Sequence, residues 1–208
     1  GVSSAASDVY KRQEEAHRLN KKVAAHAYSS QTVSDCVLEG VDSIEHGVMI
    51  DIETIKLMSE NNTFLVPTMN AFNSYLMPDA EKRYPAYRLN RGRPMATIQR
   101  QNFSEYLKHN LSIALGSDGP RPGSPPGSSA REIELLVDAG MDNLSAINAA
   151  TLNGAKLLGI DNNTGSVESG KFADLIVLNA DPLEDISILT KPDNIQVVII
   201  DGNIVKND

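Results

Sequence analysis

Between Glu14 and Asn153, short apolar runs alternate with longer amphipathic stretches, and this rhythm predicts β/α units around a parallel sheet. The apolar runs predict strands over Lys22–Ala27 (KVAAHA), Asp42–Glu45 (DSIE), Thr63–Pro67 (TFLVP) and Leu111–Gly116 (LSIALG). Apolar positions at helical spacing predict helices over Thr32–Glu39, Ile52–Glu60 and Ala130–Asp138. A longer helical stretch, Asp79–Lys108, is expected to be interrupted at Pro85 and Pro94, and Asn143–Leu158 reads as one helix with Gly159 as its C-cap. Near Gly165 the pattern changes to short strands at Val167, Ala173–Leu178, Ile195–Ile200 and Ile204–Val205. Asp201-Gly202-Asn203 lies between the last two apolar runs as a hairpin signal. The expected fold class is therefore α/β, with a β/α unit over residues 1–160 and a small β domain over 161–208. Pro120–Ser129 (PRPGSPPGSS) follows a strand directly and reads equally as a lid or a connector.

Three metal-capable side chains share one placement in this pattern. His26, His46 and Asp118 each stand at or just beyond the C-terminal end of a predicted parallel strand, the end where β/α folds assemble their sites from loops. Imidazole nitrogen and carboxylate oxygen suit Zn²⁺ and similar divalent ions, which lower the pKa of a bound water for hydrolysis. One histidine at a strand end is usually structural; three such residues in nearby units favour a shared metal site. Tyr28 lies two residues beyond His26 and faces the same way along a strand, either as a donor to a developing oxyanion or as a half-buried aromatic under a loop.

Composition narrows the partners. A formal charge of -8 argues against a nucleic-acid or anionic-membrane surface and fits a small neutral or mixed-charge substrate. The single cysteine, Cys36, excludes an internal disulfide framework and reads as a structural thiol. Neither a membrane span nor a signal peptide is legible, and the compartment stays open. His17 and His109 read as surface residues. Arg121 and Arg131 flank the Pro-rich loop as carboxylate-binding forks or as exposed arginines, and Met69, Asn70 and Phe72 as pocket wall or as packing.

The segments VAAHA (Val23–Ala27), SIEHG (Ser43–Gly47), IALGSDG (Ile113–Gly119) and GSVESGKFADLIVL (Gly165–Leu178) resemble the amidohydrolase superfamily, within it the dipeptidase-like branch of prolidase-type and imidazolonepropionase-related enzymes. The resemblance implies a partial TIM-type (β/α) barrel, strands five to eight of eight, followed by part of a small composite β domain. It further implies that His26 and His46 ligate one divalent ion, expected to be zinc, while Asp118 ligates a second and acts as general base toward the bridging hydroxide. The family's first-strand His-x-His pair and fourth-strand bridging lysine have no counterpart here, so the chain is expected to be a C-terminal piece, inactive alone. Ser7–Gln13 (SDVYKRQ) departs from family sequence, and residues 1–13 are set apart as a candidate non-native segment. Ser29 occupies the place of a glutamate common in deaminase-like relatives, which favours amide hydrolysis of dipeptides or similar small molecules. A deaminase or cyclic-amide hydrolase, and a non-catalytic relative, are the alternatives, and a homo-oligomer is left open.

Overall fold

The computed structural model describes residues 12–207, so Gly1-Val2-Ser3 and most of Ser7–Gln13 lie outside the described residues. The protein is an α/β structure with two three-stranded sheets. In the first, β1 (Ala24–Ser29), β2 (Ser43–Met49) and β3 (Phe64–Val66) run parallel in that order, with His26 opposite Glu45 and Glu45 opposite Val66. In the second, β4 (Leu175–Leu178), β5 (Ile195–Ile200) and β6 (Asn203–Asn207) are antiparallel. The Asp-Gly hairpin forms as the sequence predicts, with positive φ at both Asp201 (48°) and Gly202 (75°).

Strand alternation sorts the first sheet into two faces. Ala27, Ile44, Leu65 and Ile113 point to the helices and are buried in one core with Val33 and Val37 of α1 (Ser30–Leu38) and Ile55 and Met58 of α2 (Ile52–Glu60). Asp51 caps α2 by accepting from the Thr54 N–H at 2.8 Å. Beyond β3 come α3 (Met69–Asn73), α4 (Ala80–Arg83) and the long α5 (Ala86–Lys108), whose Phe103 and Tyr106 enter the same core. The core continues through α6 (Ala130–Asp138) and α7 (Asn143–Ala150) to Ile186, in a 3-10 turn over Ile186–Thr190, so the tail is anchored on the β/α unit. The last helix, α8 (Leu152–Leu158), ends on Gly159 in the left-handed conformation (φ 70°) that a C-cap glycine adopts readily.

Four elements differ from the sequence pattern. Leu111–Gly116 makes a single parallel bridge, Ile113 to Leu65, instead of a strand. Its other edge is occupied by helices, because Leu115 N–H donates to the Ala149 carbonyl at 2.9 Å and Asn153 Nδ2 to the Ile113 carbonyl at 2.9 Å. Those bonds also accompany the division of Asn143–Leu158 into two helices at Thr151 (φ -126°, ψ -90°). The Asp79–Lys108 stretch breaks once, before Pro85, whereas Pro94 is accommodated inside α5. Val167 lies in no strand and is exposed.

Candidate active site

The face of the first sheet opposite the helices carries His26 and Tyr28 from β1 and Glu45 from β2. His26 is the third of the six residues of β1 and His46 the fourth of the seven of β2, so both stand inside their strands, upstream of the ends the sequence pattern indicated. Strict alternation would send Glu45 and His46 to opposite faces. Instead φ is 77° at His46 and 51° at Gly47, which turns the strand so that both line one cleft of about 260 Å³ with His26, Thr68, Gly116 and Asp118. A Cβ on Gly47 would come 2.5 Å from Leu65 Cδ1, so the close approach of β3 requires glycine there as well.

Hydrogen bonds fix the His46 ring. The Thr68 hydroxyl gives its only proton to the Pro67 carbonyl (2.7 Å) and therefore accepts from His46 Nδ1 at 2.6 Å. A proton on Nδ1 leaves Nε2 with its lone pair directed at His26 Nδ1, 2.9 Å away. Burial, and next the adjacent His26, hold His46 down at a pKa of about 4, so it stays neutral and available as a donor ligand through the mildly acid range. Tyr28 stacks on His46 (centroids 5.1 Å, planes 10° apart) and meets His26 edge-on at 4.7 Å, while Phe72 abuts both Tyr28 and His46. Burial, followed by the charge of Asp118, raises the Tyr28 pKa and keeps its hydroxyl a proton donor at neutral pH.

Asp118 reaches the cleft from the turn after Leu111–Gly116, with a positive φ of 50° that Asp and Asn tolerate better than most residues. Its carboxylate is ion-paired with Arg121, whose Nε also donates to the Asp118 carbonyl at 3.0 Å. Glu45, which the sequence pattern did not single out, is raised in pKa chiefly by burial and accepts from Ser43 Oγ at 2.8 Å. The Glu-His-Gly run was the available signal, since glycine after a candidate ligand marks a place where a strand departs from alternation.

The donor set fits a divalent ion in part. With His26 as its Nε2–H tautomer, two imidazole lone pairs converge, and their 2.9 Å separation is near the about 3.3 Å that two Zn–N bonds of about 2.0–2.1 Å subtend at a tetrahedral centre. Among the described residues no cluster of three or more His, Cys, Asp or Glu side chains has metal-holding geometry.

The remaining sequence candidates are accounted for. Arg131 pairs with Glu134 instead of facing the cleft. Met69 is in the core and Asn70 in a buried polar network, where Asn70 Nδ2 donates to Ser124 Oγ at 2.8 Å. Tyr84 Oη donates to the Pro122 carbonyl at 2.5 Å, so the Pro-rich segment is tied down at two points. His17 is exposed and pairs with Asp42 at 2.8 Å, but His109 is partly buried. Burial raises the pKa of the half-buried Cys36 thiol, in keeping with a structural role.

Residues 2–205 match the Amidohydrolase family. The chain belongs to that family. It is 30% identical to ochratoxinase of Aspergillus niger over 195 residues, covering 93% of this chain and 40% of the relative. A solved Xaa-Pro dipeptidase with methionine bound in its active site superposes with a TM-score of 0.85 at 33% identity, over 97% of this chain and 49% of that one. A prolidase complexed with N-methylphosphonate-L-proline gives a TM-score of 0.90 at 26% identity, over 100% of this chain and 51% of that one. The chain thus spans from 40% to about half of the length of these relatives. Among the described residues no helix is long and apolar enough to cross a membrane.

Proposed function

We propose that this amidohydrolase-family chain forms strands five to eight of a (β/α) barrel with part of the composite β domain of a metal-dependent hydrolase. Its reaction is cleavage of an amide bond in a dipeptide or similar small substrate. The observation that carries this reading is the convergence of His26 Nδ1 and His46 Nε2, 2.9 Å apart, in the cleft that also holds Asp118. The partial coverage of relatives supports the view that further ligands and barrel strands come from sequence outside this chain.

In this reading His26 and His46 hold one divalent ion, expected to be zinc, and Asp118 contributes to a second. Such an ion supplies Lewis acidity and makes water nucleophilic at neutral pH. The Asp118 carboxylate takes a proton from the attacking water and returns it to the leaving amine nitrogen, and Arg121 orients that carboxylate from behind. Tyr28 Oη has no hydrogen-bond partner among the described residues and is free to donate to the oxygen of the scissile carbonyl as negative charge develops there. His46 is kept in one tautomer by Thr68, which keeps its Nε2 lone pair aimed into the cleft.

The dipeptidase structures among the similar proteins and the presence of Ser29, where deaminase-like relatives carry an acid, favour peptide-like amides over amino-heterocycles. A substrate panel on the full-length protein with divalent metal supplied tests this. Cleavage of Xaa-Pro and other dipeptides is expected to exceed ammonia release from purines and pyrimidines, and the reverse order would overturn the assignment.

A further inference from the structure

Thr68 stands immediately before α3 but does not cap it. A threonine in that place ordinarily has an extended backbone and turns its hydroxyl back to accept from the second or third N–H of the helix. Thr68 makes no such bond, and its backbone is left-handed (φ 52°, ψ 44°). Its hydroxyl is engaged elsewhere, donating to the Pro67 carbonyl at 2.7 Å and accepting from His46 Nδ1 at 2.6 Å.

Another helix takes the N–H groups that this leaves bare. Glu132, on α6 and 0% exposed, accepts from the Met69 N–H through Oε1 (2.6 Å) and from the Asn70 N–H through Oε2 (2.7 Å). Asn70 is the second residue of α3, so Glu132 occupies an N–H that a threonine cap would take. From α5, Gln99, only 1% exposed, donates to the Pro67 carbonyl at 2.5 Å. The same carbonyl receives the Thr68 proton, and fixing it keeps the hydroxyl lone pairs directed at His46. A strained backbone persists only where its surroundings over-determine it. One carbonyl held from α5 and two N–H groups held from α6 meet that condition around Thr68.

We propose that Glu132 is a positioning residue for His46. By capping α3 from α6 it releases the Thr68 hydroxyl from that task, and the released hydroxyl holds the imidazole with its proton on Nδ1 and its Nε2 lone pair in the cleft. Gln99 supports the same arrangement through the Pro67 carbonyl. Glu132 itself does not line the cleft. The consequence for metal affinity rests on the hydrolase reading, whereas the effect on the tautomer does not.

Nitrogen NMR of the imidazole rings in the metal-free full-length protein reads the tautomer directly, with His46 assigned by the loss of its signals in His46→Gln. The unaltered protein is expected to show a protonated Nδ1 and a bare Nε2. Glu132→Gln keeps the size of the side chain, but an amide accepts through one of its two terminal atoms only. One N–H of α3 is then bared and competes for the Thr68 hydroxyl. The two His46 signals should move toward each other as the tautomers mix, and metal affinity, measured against a chromophoric chelator, should fall by about 10-fold. Gln99→Leu should move both readings in the same direction and supplies the test if the Glu132 variant does not fold. In a Thr68→Gly background neither exchange should lower affinity further, because effects that pass through one residue do not add. A folded Glu132→Gln protein with unmoved His46 signals, or an affinity loss that adds fully to that of Thr68→Gly, would overturn the role. Mixed tautomers in variants of a protein that binds no metal would retain the positioning role and reject the metal-site reading; tight metal binding with an unmoved tautomer in the variants would do the opposite.

Discussion

Thr68 accepts the Nδ1 proton of His46 at 2.6 Å while standing in the left-handed region, φ 52° and ψ 44°. A β-branched residue in that conformation costs on the order of 1–3 kcal/mol, so its presence there points to the His46 contact. Removing the hydroxyl frees the imidazole to change tautomer. Thr68→Gly should lower metal affinity by about 10- to 100-fold, the usual effect of losing such a partner, while thermal stability stays level or rises because the strain is relieved. Thr68→Ser should restore affinity. Competition with a chromophoric chelator measures the first quantity and calorimetry the second; unchanged affinity in the glycine variant would separate Thr68 from the metal site.

The convergence of His26, His46 and Asp118 was legible because ligand-type residues recurred in successive β/α units, and period-two alternation placed Tyr28 beside His26. Glu45 was passed over although its pairing with His26 sets it on the same face; what alternation cannot encode is the arrival of His46 beside it, which depends on positive φ at His46 and Gly47. Helices with strong local signals, Ile52–Glu60 and Ala130–Asp138, have the limits the pattern predicts. Leu111–Gly116 and the Asn143–Leu158 helix departed together, because tertiary hydrogen bonds from Leu115 and Asn153 override local preference in both. Glu132 was also hidden: its acidic side chain at the start of a helix looks like an ordinary exposed residue.

In the structure Glu132 is 0% exposed and accepts from the backbone N–H groups of Met69 (2.6 Å) and Asn70 (2.7 Å), joining α6 to the turn that presents Thr68. Burial pushes its pKa from 4.5 up to about 8 against those two donors. A folded-state pKa above the unfolded value means the native state holds the proton longer. The Glu132 contribution is therefore fully present below about pH 4.5 and declines as pH rises toward 8. Urea unfolding of wild type and Glu132→Gln at pH 5 and pH 8 should show the stability gap narrowing at the higher pH. A gap that widens would mean the two N–H donors outweigh burial. Glu132→Ala leaves both donors without a partner and should cost about 1–3 kcal/mol or more.

Tyr28 separates packing from chemistry by a single atom. Tyr28→Phe preserves the ring that stacks on His46 and removes the hydroxyl, so stability should change little. If the hydroxyl stabilises the developing oxyanion, kcat should fall by about 10²–10³ with metal content intact. Near-normal turnover in the phenylalanine variant would leave Tyr28 as an aromatic wall.

Asp118 offers the sharpest test of the proposed mechanism. Its φ of 50° is a conformation that asparagine adopts as readily as aspartate, so Asp118→Asn should keep the turn and the side-chain shape. The amide retains one oxygen for a metal but cannot accept the water proton, and it weakens the pairing with Arg121. Metal content should therefore fall little, while turnover falls by about 10²–10⁴, the usual worth of a positioned general base. A purely structural role predicts another pattern. If the Asp118–Arg121 pair only fastens the turn, an exposed pair of this kind contributes about 0–1 kcal/mol, and Arg121→Met should then reproduce every effect of Asp118→Asn. Measuring kcat, metal content and unfolding on both variants separates the cases. Loss of turnover confined to the asparagine variant assigns the proton transfer to Asp118, whereas an asparagine variant with near-normal kcat removes it from the mechanism.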